Sequence, residues 1–310
     1  MHPAFSVLLF TTLSGTGFGL WFWLALRIAV GDMPEWFDGL GWMSGLIAGA
    51  ALVAIGVIAS LWHLGKPARV WRAFSQWRSS WMSREGVFAI ACFAAAAMLF
   101  ILMWVSAGGW PTRLAAGVLA IGCIAALYCT AMIYASLAPI PAWRHPLVVP
   151  GYLLFAAVGG GLLFGPFAGT TINEPSMIGA GIVIGAVALW RVKRRYWRDI
   201  DRDPLPHTRG DAVGLPGRDV SAFERPHTES NYLTHEMGFV VARKHAKKLR
   251  TIAVIFFALI PALCALPVWL LPHGDVTVLL WVGAASFQLG AVVERWLFFA
   301  EAKHLVMLYY

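Results

Sequence analysis

Eight apolar runs divide the chain, near residues 6–29, 41–62, 86–106, 114–138, 147–168, 176–192, 251–271 and 276–298. A helix crosses a bilayer with about 20 predominantly apolar residues, and each run reaches that range, the sixth at its short limit. In hydrocarbon every backbone N–H and C=O must be paired within the protein, so runs of this length are helices; a barrel would show short alternating strands. The pattern predicts an all-α, polytopic integral membrane protein with eight transmembrane helices and one large cytoplasmic loop. Three blocks follow: residues 1–192 with six spans and an interfacial helix at 66–82, a polar loop at 193–250, and 251–310 with two spans and a short tail. The opening MHPAF has no basic region and no small-residue cleavage site, so the first run reads as a span.

Composition removes the main competitor. Of 310 residues 59% are hydrophobic and 13% charged, and mean hydropathy is +0.68. Ordinary soluble domains carry about 45–50% apolar and about 25% charged residues, so a soluble enzyme is excluded. Charge then orients the spans. With both termini on one side, 22 of the 24 basic residues fall on that side, and only Arg27 and Arg113 fall on the other. The positive-inside rule makes the rich side, and both termini, cytoplasmic. The formal charge of +8 is thus a topology signal, and no nucleic-acid-binding motif accompanies it. Many Trp residues sit at span ends, as an interfacial aromatic belt requires.

Two cytoplasmic stretches hold the candidate chemistry. In HLGKPARVWRAFSQWRSSWMSRE (63–85), Val70, Phe74, Trp77 and Trp81 recur at helical spacing, with Arg69, Arg72, Gln76 and Ser79 on other faces. This predicts an amphipathic helix in the membrane interface. His63 closes the second span and Glu85 opens the third, so an imidazole and a carboxylate share one depth on one side. Such a pair can hydrogen-bond a quinone head group and exchange its protons; equally, two interfacial residues can be satisfied by water and lipid head groups. The second stretch, 191–250, begins with the basic run Arg191, Lys193, Arg194, Arg195 and ends in NYLTHEMGFVVARKHAKKLR. It is too long for a simple connector and too small and polar for an enzyme domain. A docking surface for cytoplasmic partners and a solvated loop held by anionic lipid both fit it.

Several chemistries lack their residues. Cys92, Cys123, Cys129 and Cys264 all lie in spans without CxxC spacing, which predicts no iron–sulfur cluster in this chain. None of the nine histidines lies mid-span, so no pair is placed to hold a membrane haem. His235 and Glu236 start an HE pair, but HExxH fails at Gly238 and Phe239. Glu294 and Arg295 lie near the cytoplasmic end of the eighth span; as helix neighbours they do not face each other and need separate partners. A transporter would want mid-membrane charge and broken helices. GGGLLFGP (159–166) could break the fifth span, but no chain of charges crosses the membrane.

MHPAFSVLLFTTLSGTGFGL at the start and HLGKPARVWRAFSQWRSSWMSREGVFA resemble the DmsC family, the membrane anchors of dimethyl sulfoxide reductases, similar in role to NrfD-type anchors. PHTESNYLTHEMGFVVARKHAKKLR is more similar to the SoeC-type anchors of cytoplasmic sulfite dehydrogenases. The resemblance implies a haem-free anchor in a bacterial inner membrane that reacts with ubiquinone or menaquinone. It implies two partners on the cytoplasmic side: a ferredoxin-like subunit with [4Fe–4S] clusters and a molybdopterin catalytic subunit. It assigns quinone binding to the positions of His63 and Glu85; Lys66, Arg69 and Arg84 stand near them in the sequence and are read as orienting the head group or contacting the partner. The direction of electron flow, sulfite oxidation or sulfoxide reduction, belongs to the catalytic subunit.

Overall fold

The computed structural model describes residues 4–31, 39–62, 66–105, 109–168, 177–202, 205–221, 223–224, 229, 241–271 and 277–309. Among these the protein is all-helical. Its long helices are α1 (Phe5–Val30), α2 (Gly39–Leu61), α3 (Trp81–Trp104), α4 (Trp110–Ala135), α5 (Val148–Ala168), α6 (Met177–Arg202), α7 (His245–Leu270) and α8 (Thr277–Ala300). Seven of them are long and apolar enough to cross a membrane, all but α6. This differs from the eight expected. The apolar part of α6 ends at Trp190, where Arg191 begins the basic run. Those fourteen residues rise about 21 Å at 1.5 Å each, short of a core about 30 Å thick. Even so, α6 runs alongside its neighbours from end to end. Gly179 abuts the backbone of Trp269 and Ala265 on α7, and Lys193 pairs with Glu294 on α8.

The polar block also departs from its expected boundary. The helix of α6 continues through the basic run to Arg202, because the buried stripe of Ala186 and Leu189 continues through Lys193, Tyr196 and Trp197. Lys193 is therefore a buried residue and not a solvated one. Further on, Thr208 and Asp211 form a reciprocal cap on the one-turn helix Arg209–Ala212. Residues 225–228 and 230–240, with His227 and His235, lie outside the described residues.

Helix α1 is the centre of the bundle and packs on α2, α4 and α5. Its approach to α5 is backbone on backbone: a Cβ on Gly19 would meet the Ala156 carbonyl, and one on Gly160 would meet Gly19 itself. Small residues let helices close this far in lipid, where packing replaces the hydrophobic effect as the driving force. Outward-facing Ile47, Ile55, Ile90, Ile101 and Ile121 are exposed, as a lipid-facing surface requires. Two π-turns interrupt the spans, Phe10–Ser14 in α1 and Ile255–Leu259 in α7. In the first, the hydroxyls of Thr11, Thr12 and Ser14 donate to the carbonyls of Val7, Leu8 and Phe10 at 2.9, 2.8 and 2.6 Å. They carry part of the polar load that a widened turn creates.

Between α2 and α3 the expected interfacial helix is shorter than 66–82. It is a 3-10 helix over Pro67–Gln76. A turn follows, and Ser80 caps α3 by accepting from the Ser83 N–H at 3.4 Å. Trp81 thus belongs to the span. Trp71 and Trp77 are exposed and carry Arg72 and Arg78 over their rings at 5.5 and 6.0 Å.

Candidate functional site

A cavity of about 450 Å³ opens where α1, α2, the 3-10 helix, α3 and the end of α4 meet. Phe18, Phe74, Phe93, Ile133 and Tyr134 give it apolar walls, and Lys66 and Arg69 stand exposed on its rim. Phe74 brings the 3-10 helix down onto α3 because Gly86 has no side chain there: a Cβ would come within 2.8 Å of its ring. Glu85 and Ser83 supply the polar wall.

Glu85 is 7% exposed, and its carboxylate meets the Thr130 hydroxyl of α4. That hydroxyl also lies 3.0 Å from the Ala126 carbonyl. The pair is satisfied in either protonation state. Ionised Glu85 accepts from Thr130; protonated Glu85 donates to the Thr130 oxygen while Thr130 donates to Ala126. A carboxyl with this arrangement can gain and lose a proton without stranding its partner. The Ser83 hydroxyl is buried with no protein partner, so it is free to bind a guest in the cavity.

The five expected site residues divide. Glu85, Lys66 and Arg69 line one cavity. Arg84 does not: its guanidinium donates to the carbonyls of Trp77 and Arg78 and lies 4.3 Å over the Trp81 ring. Adjacent residues on a helix point about 100° apart, so Glu85 turns inward while Arg84 ties the 77–80 turn to α3. His63 lies outside the described residues. Sequence reasoning missed Ser83, Thr130 and Tyr134. Lys193, Glu294 and Arg295 are all buried. Glu294 and Arg295 do take separate main partners, Lys193 and the ring of Tyr152 respectively. All four cysteines are free and buried, and among the described residues no three His, Cys, Asp or Glu side chains are grouped so as to hold a metal ion.

A sequence model of the family described as "DMSO reductase anchor subunit (DmsC)" matches residues 1–300. The chain belongs to the DmsC family. Among curated proteins it is 30% identical to a sulfite dehydrogenase subunit of Allochromatium vinosum, over all of this chain and 99% of the relative. The DmsC match spans all seven apolar helices together with α6, so the family relationship rests on the whole bundle and not on the N-terminal motifs alone. The chain is a multi-pass membrane protein of this anchor family.

Proposed function

We propose that this DmsC-family chain is the quinone-reactive anchor of a molybdopterin iron–sulfur complex that oxidises sulfite. The observation that carries the reading is the cavity beside Glu85, with its apolar walls, the unpartnered Ser83 hydroxyl and a carboxyl whose bond to Thr130 can be kept in both protonation states. Its volume lies within the ~300–1,000 Å³ usual for small-molecule sites. The relative named as part of a sulfite dehydrogenase supports the sulfite assignment.

In this reading α6 completes an eight-span topology with both termini in the cytoplasm, supported by its course from Gly179 beside Trp269 to Lys193 beside Glu294 and by the positive-inside rule. Glu85 and Ser83 orient the quinone head group, with His63 as a second ligand. Lys66 and Arg69 attract and hold it at the rim, Phe18, Phe74 and Phe93 exclude water, and the open side admits the tail. A bound quinone accepts two electrons, delivered by the [4Fe–4S] partner subunit, and two protons. Glu85 holds the proton that reaches the head group. The molybdopterin subunit supplies the electrons by converting sulfite and water to sulfate and two protons. Both partners dock on the basic face, which the 191–250 stretch extends. The second reading, a sulfoxide reductase anchor that oxidises menaquinol, is favoured by the family description; it uses the same site in reverse.

Losing a hydrogen bond to a charged group costs about 1.5–3 kcal/mol, or roughly 10–100-fold in affinity. Quinone-analogue affinity in membranes carrying the complex is expected to fall by that factor in Glu85→Gln and His63→Ala. Unchanged affinity in both removes these residues from the site.

A further inference from the structure

From Glu85 a file of buried polar groups leads away from the cavity, through the bundle, to the basic end. Thr130, beside Glu85, lines a narrow space of about 10 Å³ with Tyr152 and Arg295. Tyr152 and Arg295 also line a second space of about 10 Å³, together with Lys193, Tyr196 and Glu294. Arg295 lies 3.8 Å over the Tyr152 ring, and Lys193 bridges to Glu294 and lies 4.1 Å over Tyr196. Seven residues beyond Glu294, about two helical turns, Glu301 is held by Arg250 at 3.0 Å. It opens on a cavity of about 550 Å³ shared with His145, Asp199, Asp201 and Lys303.

Four buried atoms along this file have no hydrogen-bond partner: Tyr152 Oη, Arg295 Nε, Glu294 Oε2 and Glu301 Oε2. Orphaned polar atoms are costly in a dry interior, and one water needs roughly 10–15 Å³ with two to four polar partners. Each narrow space has room and partners for about one. We propose that ordered waters fill these spaces and that Glu85, Thr130, Tyr152, Glu294 and Glu301 form a proton path from the cytoplasm to the quinone cavity. The inference rests on the quinone reading above, and it explains why a back route is needed. A quinone seated in the cavity, tail outward, blocks the front of Glu85, so its protons must arrive from behind. Two protons enter at Glu301 for each two electrons from the partner subunit. The groups facing Glu294 are Lys193 and Tyr196 on α6, Tyr152 on α5 and its own neighbour Arg295; Lys193 and Arg295 hold the path's negative charge in place.

Two measurements on the assembled complex test this. Radiolytic hydroxyl labelling reports side chains beside ordered buried water. Tyr152 is expected to label well above Trp21, which is also buried but bonded to the Leu46 carbonyl; labelling equal to Trp21 means a dry seam and overturns the path. Quinone reduction is expected to fall about a hundredfold or more in Glu294→Gln, in line with loss of a positioned proton carrier. Tyr152→Phe, which removes only an oxygen without a protein partner, should lose less but show a raised solvent deuterium isotope effect. In both, quinone-analogue affinity stays at the wild-type value. An unchanged rate and isotope effect in Tyr152→Phe overturns the path and leaves the quinone site standing. A wild-type complex that binds no quinone analogue overturns the site, and the path with it.

Discussion

Lys193 and Glu294 form an ion pair between α6 and α8 with side chains 7% and 1% exposed. Replacing Glu294 by Leu leaves a buried ammonium without its carboxylate. Removing one member of a buried pair costs about 3–5 kcal/mol, whereas replacing both by apolar residues of similar volume is often neutral or better. The stranded Lys193 keeps the ring faces of Tyr196 at 4.1 Å and Trp197 at 5.3 Å, worth about 2 kcal/mol once desolvated. That holds the Glu294→Leu loss near the lower figure. Lys193→Met strands a carboxylate whose remaining cation, Arg295, is 3.9 Å away. At roughly 2 °C per kcal/mol for a chain of this size, each single variant should lower the thermal midpoint by about 6–10 °C in mild detergent, followed by tryptophan fluorescence. The double variant should return to within about 2 °C, or about 1 kcal/mol, of wild type, which makes the coupling about 5–8 kcal/mol. Additive losses would refute the reasoning: the two charges would then be solvated separately, and α6 would not be locked to α8 through them.

Three further outcomes follow from the geometry. Gly160→Leu drives a side chain into the backbone of Gly19 and should abolish the monodisperse detergent-solubilised peak, while Gly117→Leu, in open space, should leave it unchanged. Arg84→Lys should lower quinone-analogue affinity nearly as much as Arg84→Ala, because a single ammonium cannot hold the Trp77 and Arg78 carbonyls and stack on Trp81 as the planar guanidinium does; full rescue by Lys would refute the tether. Outside the membrane, the Thr208 N–H and hydroxyl hold the Asp211 carboxyl below its ordinary value. The ionised form is the one bonded in the folded turn, so its contribution is present above the ordinary carboxylate range and is lost as pH falls through the lowered value. Protection of the Leu215 amide, bonded to the Gly210 carbonyl at 2.8 Å, should drop across that acid range in wild type and show no such step in Asp211→Asn.

Seven helices were legible because lipid demands long uninterrupted apolar runs, and a solvent that uniform leaves an unambiguous trace. Where the demand changes midway, the trace fails. In α6 the residues after Trp190 pack on protein and bury Lys193, which a tally of charges assigns to solvent. A usable signal was present: Ala186, Leu189, Lys193, Tyr196 and Trp197 keep the helical period, so the basic run interrupts an apolar face that resumes beyond it. Glu85 was singled out in the sequence as a carboxylate at a span end, although the structure sets it four residues inside α3. Its partner Thr130 was not, because a Thr in a helix can satisfy itself on the carbonyl four residues back, as Thr130 also does with Ala126. Arg84, expected near the head group, instead bonds the 77–80 turn, because neighbours on a helix point about 100° apart.

The placement of charge within the spans bears on energy conservation. Glu85 lies four residues past Trp81, the first residue of α3, which is about 6 Å of a hydrocarbon core about 30 Å thick. Glu294 lies six residues before Ala300, the end of α8, or about 9 Å by the same rise. Both carboxyls therefore sit toward the basic end, and the spans' opposite ends hold only the exposed Arg27 and Arg113 as charged described residues. A charge moved through the whole membrane field changes energy by about 2.3 kcal/mol per 100 mV. Through a fifth of it, a proton reaching Glu85 changes energy by about 0.5 kcal/mol, a factor of roughly two in rate. With electrons delivered from the same face, quinone turnover in this reading stores almost none of its energy in the membrane potential. Collapsing the potential in sealed vesicles should change the rate by no more than about that factor. A tenfold response would require protons drawn from the opposite face, where the described residues carry no charged group but Arg27 and Arg113.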